Sequence, residues 1–198
     1  MTKKSAREIQ LWFHGLVLDT LTQAPVVLLR DESGQINIPI WIGMAEATSI
    51  ATALKEIPSY RPLTHDFLKT VLTLLGGTVD NVCITKIEDG TFYAETRLKG
   101  KDDTTFVIDC RPSDAIALAV RVNCPIFVNE EVAKQSSVRL EPIVSESEGG
   151  HESSEEKKES HEEDQAAETK FQTLQHLDKD KWKEILEKLS PDDFKHKH

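Results

Sequence analysis

Apolar and polar positions alternate from Ile9 to Leu18, run apolar from Pro25 to Arg30 and alternate again from Ile36 to Ile42, which predicts three strands. Helical spacing follows in Met44 to Ile57, where Ala47, Ile50, Ala51 and Leu54 form one apolar stripe. The same order returns further on. Gly77 to Ile87, Thr91 to Leu98 and Thr104 to Cys110 read as strands, and Pro112 to Val122 reads as a slim helix built on Ala115, Ile116, Leu118, Ala119 and Val122. With a shift of 68 residues, Ile38, Ile40, Glu46, Ala47, Ile50 and Ala51 fall on Phe106, Ile108, Asp114, Ala115, Leu118 and Ala119. The pattern therefore predicts an α+β fold of duplicated β-β-β-α units around a mainly antiparallel sheet. Between the units, Phe67, Leu68, Val71, Leu72 and Leu75 predict a helix with Thr64 as its N-cap and Gly76-Gly77 as its stop. This places His65 and Asp66 in its first turn.

The pattern fails after Val144. Residues 145–169 carry mainly Ser, Glu and Lys and have nothing to bury, so they read as a disordered acidic linker. In residues 170–198, Phe171, Leu174, Leu177, Trp182, Ile185, Leu186 and Leu189 form an amphipathic C-terminal helix that docks on its own domain or on a protein partner. The folded α+β domain is thus expected within residues 1–144. Charge follows the same division. The chain carries net −10, with 15 Lys and Arg against 18 Asp and Glu in residues 1–144, and 9 against 16 in the remainder. Such a chain has no long-range attraction for phosphate backbones, so nucleic-acid contact would need a local basic cleft or metal ions.

No stretch reads as a membrane span. The basic start at Lys3, Lys4 and Arg7 precedes an apolar run that Gln10, His14 and Asp19 interrupt, so it is expected to be a strand rather than a secretory leader, in a cytoplasmic protein. Cys83, Cys110 and Cys124 are odd in number and lack metal-ligand spacing, and read as buried reduced thiols. The wholly apolar run Val26-Val-Leu-Leu suggests a homodimer contact.

Chemistry concentrates around the second unit. A hairpin around Lys99-Gly-Lys-Asp-Asp, with Arg97 opposite Val107, would set Glu95 opposite Asp109 and gather Glu95, Arg97, Asp109 and Arg111 on one face. Ala94, Thr96, Leu98, Phe106, Ile108 and Cys110 would form the core face. The matching charged-face positions of the first unit are Val27, Leu29, Trp41 and Gly43, so only one unit is charged there. A solvated salt-bridge ladder explains that face without chemistry. Helix capping likewise explains Asp66, Glu46 and Asp114, and core or interface packing explains Trp12 and Trp41.

Several motifs in this order resemble the bifunctional nuclease domain family: Ile38-Pro-Ile-Trp-Ile-Gly, Glu46-Ala, Arg61-Pro-Leu-Thr-His-Asp, Gly76-Gly77, Asp89-Gly-Thr-Phe-Tyr-Ala-Glu and Asp109-Cys-Arg-Pro-Ser-Asp-Ala-Ile-Ala-Leu-Ala. The resemblance spans roughly residues 8–135 and leaves the tail outside; Cys110 departs from it, alanine being commoner there. It implies a compact α+β dimer and cleavage of RNA and DNA.

On that implication, the reaction is phosphodiester hydrolysis. Asp109, Glu95 and Asp114 would hold a divalent cation, magnesium or manganese, or a water. Arg111 and Arg61 would bind phosphate. His65 would act as acid or base, oriented by Asp66, with Asp109 as the third catalytic group. A metal-free variant using His65 and the arginines stays open. The competing class is a non-enzymatic binding or regulatory module that engages a ligand or protein through the charged hairpin face and the C-terminal helix. Convergence of His65, Asp109, Arg111 and Arg61 in one cleft would favour the enzyme, and dispersal the module.

Overall fold

The pairing of one long strand with both halves of the molecule sets the architecture. In a computed structural model, residues 7–19 and 21–138 are described, together with the backbone of Phe171–Thr173. Strand β1 (Glu8–Asp19) pairs with β2 (Pro25–Arg30), which pairs with β3 (Asn37–Trp41), and the helix α1 (Met44–Leu54) follows. After α2 (Thr64–Leu74) the same order recurs as β4 (Thr78–Glu88), β5 (Thr91–Lys99), β6 (Thr105–Cys110) and α3 (Pro112–Val122). The chain then adds β7 (Ile126–Asn129) and α4 (Glu130–Ser136). The sheet runs β3-β2-β1-β7-β4-β5-β6, and β8 (Phe171–Thr173) also pairs with β1. All of these pairs are antiparallel except β4 with β7.

Strand β7 joins the two halves, antiparallel to residues 8–11 of β1 and parallel to β4. The hydrophobic pattern missed it, because four residues after a Cys-Pro step carry too little periodicity to register. Asn123 ends α3 in the left-handed region at φ 56°, which turns the chain back towards the sheet.

One face of the sheet carries the core. Val27, Leu29, Ile38 and Ile40 from the first unit and Val82, Ile84 and Ala94 from the second pack with Ala47, Ile50 and Ala51 of α1 and Ala115, Ile116 and Ala119 of α3. Alanine at these helix positions lets α1 and α3 lie close to the sheet and to each other, while α2 packs on α3. Among the described residues no helix is long and apolar enough to cross a membrane.

Four expectations change. The β5–β6 register matches, with Arg97 opposite Val107 and Glu95 opposite Asp109, yet Phe106 and Ile108 are 52% and 49% exposed on β6, the last strand in the sheet order. Val26 to Leu29 are buried within the chain, so that run offers no free apolar surface for a partner. In the first unit Val27 pairs with Ile40 and Val26 with Trp41, so the positions matching Glu95 and Arg97 are Val26 and Leu28. The first hairpin is one residue longer, and one residue exchanges the faces of a strand. Finally, Leu63 rather than Thr64 is the N-cap of α2, and Asp66 Oδ2 accepts the Leu63 N–H at 3.0 Å.

Phe171–Thr173, expected to begin the terminal amphipathic helix, form a short strand instead. The acidic linker and the rest of that helix lie outside the described residues.

Candidate functional site

The corner between β6 and α3 fixes the first charges. Arg111 is extended and serves as N-cap residue, and Pro112 occupies the first helical position, where a missing N–H costs nothing. Asp114 then lies one turn in, close to the positive end of the helix. Arg111 reaches forward to it with Nε to Oδ2 at 2.8 Å and Nη2 to Oδ1 at 3.0 Å. Its remaining arm, Nη1, donates to Glu46 Oε1 of α1 at 2.8 Å. One guanidinium thus joins the first turns of α1 and α3.

The helix α2 contributes His65. Its Nε2 lies 3.3 Å from Asp114 Oδ1 and its Nδ1 lies 3.0 Å from Ser49 Oγ of α1. Burial of Asp114 opposes ionisation, but the hydrogen bonds and charge of Arg111, with His65, outweigh it and hold the carboxyl below its usual range. Arg111 in turn is shifted upward, chiefly by its hydrogen bonds to Asp114. With Asp114 ionised, the hydrogen-bond network assigns the imidazole proton to Nε2, leaving Nδ1 to accept from the Ser49 hydroxyl. Ser49, His65 and Asp114 therefore form a hydroxyl–imidazole–carboxylate chain across three helices.

A second arginine braces this chain. Arg121 has a side chain only 5% exposed, and donates Nε to Asp66 Oδ1 at 2.6 Å, Nη1 to Ala117 O at 2.9 Å and Nη2 to Ser49 O at 3.1 Å. Burial raises the Asp66 carboxyl, yet Arg121 and the Leu63 N–H more than compensate and hold it low. Asp66 is thus spent on its helix cap and on Arg121. The hydrogen-bond partners of His65 are Ser49 and Asp114, which corrects the expectation that Asp66 orients the imidazole.

Two clefts flank the network. One, of about 620 Å³, is lined by Arg61, Asp66, Lys69 and Arg121 among others. The other, of about 360 Å³, is lined by Trp41, Glu46, Phe92, Arg111 and Ser113 among others. Arg61 and Arg111 therefore reach neighbouring clefts rather than one.

Asp109 and Glu95 lie elsewhere. Strand alternation turns both to the face of the sheet away from α1 and α3. There Glu95 Oε1 accepts from Arg97 Nε at 3.0 Å and Nη2 at 2.6 Å, and Arg97 also forks onto Glu8 at 2.9 and 2.5 Å. Arg97 is shifted upward chiefly by its hydrogen bond to Glu8, and Glu8 is held low by the same bond against partial burial. The expected metal set Glu95, Asp109 and Asp114 is therefore split between two faces. Among the described residues no group of three or more His, Cys, Asp or Glu is placed to hold a metal ion. The two carboxylates nearest His65 and Arg111, Glu46 and Asp114, are both paired with that guanidinium.

Sequence reasoning missed Ser49 and Arg121. Ser49 stands three residues after Glu46 on α1, a spacing that puts the two on neighbouring parts of one helix surface, but nothing local marks it as a partner for His65.

The family model for the bifunctional nuclease domain matches residues 27–141. An uncharacterized protein of Mycobacterium tuberculosis is 34% identical over 181 residues, covering 91% of this chain and 94% of the relative. Bifunctional nuclease 1 of Oryza sativa subsp. japonica is 28% identical over 132 residues, covering 65% of this chain and 40% of that protein. Bifunctional nuclease 1 of Arabidopsis thaliana is 29% identical over 119 residues, covering 59% of this chain and 37% of that protein. By these matches, and by the α+β sheet and helix corner they span, the chain belongs to the bifunctional nuclease domain family.

Proposed function

We propose that the protein hydrolyses phosphodiester bonds of RNA, DNA or both, at the junction of α1, α2 and α3. The observation that carries this reading is His65 held between Ser49 Oγ and Asp114 Oδ1, with Arg111 beside it. In the assigned tautomer, Nδ1 accepts the proton held by Ser49 Oγ, or by a water in its place, and Asp114 stabilises the imidazolium that results. Arg111, with its side chain 65% exposed, is available to the phosphoryl oxygens as charge develops on them. Arg61 and Lys69 line the neighbouring cleft, where they supply the local positive charge that an acidic chain needs to hold a phosphate backbone.

Cleavage of single- and double-stranded RNA and DNA by purified protein tests this, with magnesium, with manganese and with chelator. His65→Ala and Asp114→Asn of verified folding should lose activity, whereas Asp109→Asn should retain it. Cleavage abolished by chelator and insensitive to His65→Ala would overturn the proposed chemistry. The dispersal of Asp109 and Arg61 away from His65 and Arg111, together with the internal pairing of His65, Arg111 and Asp114, supports a second reading, a binding or regulatory module with a structural ion network. Absence of cleavage under every condition would favour it.

The same proposal includes duplication of the β-β-β-α unit, a homodimer and a cytoplasmic setting. Exposed Phe106 and Ile108 of β6, with Phe67 and Leu68 of α2, replace the buried Val26–Leu29 run as the surface for a second copy. The three cysteines are free, as a reducing compartment requires. A protein partner for the C-terminal segment also remains part of this reading.

A further inference from the structure

The two edges of the sheet are finished differently. At the β3 edge, Pro39 removes one donor from the strand, and the chain leaving α4 closes part of what remains. Val138 N–H donates to Asn37 O at 2.8 Å, and Asn37 N–H donates to Ser137 Oγ at 3.2 Å. Ile38 and Ile40 on this strand are buried.

The β6 edge has no such finish. Its register with β5 runs without a shift from Thr105, opposite Lys99, to Cys110, opposite Ala94. Among the described residues no strand pairs with its other side. Natural edges are guarded by proline, lysine or a bulge, and β6 contains none of these. Alternation puts Phe106 and Ile108 on the helix side of the sheet and Val107, 58% exposed, on the other. Both faces of the strand are therefore apolar and uncovered beside an open row of backbone groups. Such an edge is a template for a further strand.

The sequence of β6 selects that strand. In an antiparallel pair, directly opposed residues share a face. With Val107 set against Val107 of a second copy, Phe106 meets Ile108 and Thr105 meets Asp109, a hydroxyl donor against a carboxylate acceptor. Just beyond the strand, Asp103 approaches Arg111 of the second copy, opposite in charge. Centring the pair on Phe106 instead would oppose Asp103 to Asp109, and like charges in register repel. Centring it on Ile108 would oppose Val107 to Asp109. Only the Val107 register matches apolar with apolar and leaves no like charges facing.

We propose that two copies of the chain join antiparallel through β6, about a two-fold axis at Val107, into one continuous sheet. The contact uses the same strand on both copies, so it closes at two and consumes the open edge of each. Because opposed residues share a face, both helix layers lie on one side of the joined sheet. The two Arg111 backbones then stand about 26 Å apart along the strand direction, at about 3.3 Å per residue. Both His65–Asp114–Arg111 sites lie on that side.

This rests on the second-copy reading above and assigns its axis to β6 rather than to the Phe67 and Leu68 face of α2. Sedimentation velocity of the full chain tests it, with circular dichroism to verify folding of each variant. The parent should sediment at twice the mass of one chain. Val107→Lys and Val107→Glu, each at an exposed position, should sediment as single chains at the same concentration, because like charges then meet across the axis. An equimolar mixture of these two variants should recover the dimer. Phe67→Ser should weaken association less than Val107→Lys does.

Recovery on mixing requires residue 107 of one copy to meet residue 107 of the other, which a general disturbance of the fold would not produce. A dimer that persists in Val107→Lys would overturn the pairing, and its loss in Phe67→Ser alone would move the contact to α2 and keep the homodimer. Single-chain variants that stay single on mixing would overturn the Val107 register. A monomeric parent would overturn both the pairing and the homodimer.

Discussion

The two strand-to-helix corners, Trp41 to Glu46 and Asp109 to Asp114, occupy matching places in the two β-β-β-α units but divide the work unequally. Each ends in a carboxylate in the first turn of its helix, Glu46 in α1 and Asp114 in α3. The N-cap residues differ, Gly43 in one and Arg111 in the other. A single arginine therefore serves both carboxylates, forking onto its own Asp114 and extending to Glu46. At the vacant position the absence of a side chain also matters: a Cβ at residue 43 would overlap the Glu46 carboxylate as it folds back over its own helix end. Only Asp114 then meets His65, because α2 packs on α3. The difference teaches that equivalent carboxylates acquire distinct chemistry from their second partner, and that the partner comes from the helix between the units.

The most severe test of this asymmetry removes each carboxylate in turn. Asp114→Asn should lower kcat/KM for nucleic-acid cleavage by about 10²–10⁴-fold, the usual scale for losing acid–base function, and His65→Ala should match it. Glu46→Gln should cost far less in total cleavage because Glu46 does not touch His65. Steady-state kinetics on folded variants, with circular dichroism as control, would measure all three. Equal losses in Asp114→Asn and Glu46→Gln would break the comparison, since the two corners would then be equivalent in chemistry as well as in position.

Replacing the shared arginine should have the next largest effect. Lysine keeps the charge but has no planar fork, so Arg111→Lys cannot hold two Asp114 oxygens and Glu46 together. The expected loss in kcat/KM is about 10–10²-fold, carried mostly by KM if Arg111 also binds phosphate, following the scale of strong charged hydrogen bonds. A variant with full activity would show that positive charge alone suffices at this corner.

Much of this corner was legible in the sequence. Pro112 marked the start of α3, the Lys99–Asp103 loop fixed the β5–β6 register, and Arg111, Asp114 and His65 were each visible as candidates. Their grouping was not. Two-residue spacing groups Asp109 with Arg111 on one strand face, yet alternation along β6 leaves Asp109 on the far face, whereas Asp114 returns to Arg111 through one helical turn. Ser49 and Arg121 reach the site only through packing of α1, α2 and α3, with sequence separations of 16 and 55 residues to their partners His65 and Asp66. No local pattern encodes such contacts. The slip in matching Glu95 with Val27 has the same origin, since loop length rather than hydrophobicity sets which strand face is equivalent.

The outer face offers a contrast, a paired charge cluster that lies away from the proposed site. Arg97, with its side chain 25% exposed, is the cation between Glu8 and Glu95. Arg97→Ala would leave two half-buried carboxylates without that partner and should destabilise the chain by about 1–3 kcal/mol in urea unfolding, with kcat/KM unchanged. The pH dependence follows from Glu8, whose folded pKa is depressed by Arg97. Its stabilising contribution is present above the unfolded pKa and is lost as pH falls through the folded one. Thermal midpoints should therefore decline from about pH 5 downwards, more steeply in the parent than in Glu8→Gln. A large loss of cleavage in Arg97→Ala would join this face to the site and blur the distinction between the two regions.

The smallest expected effect comes from filling the vacant N-cap. The backbone of Gly43 has φ −76° and ψ 162°, which any residue adopts, so Gly43→Ala introduces no backbone strain. Its methyl group would instead collide with the Glu46 carboxylate, the mobile end of a flexible side chain that can swing aside. Global stability should change by less than about 1 kcal/mol, since only the Glu46 side chain has to move to another rotamer. Cleavage should fall only about two- to fivefold, through a less firmly held Arg111. Steady-state kinetics and a urea unfolding curve of this one variant separate the roles of the two matching carboxylates: a small loss of cleavage would mean that Glu46 acts by holding Arg111, and a loss as large as that in Asp114→Asn would mean that the carboxylate of the first unit takes part in the chemistry itself.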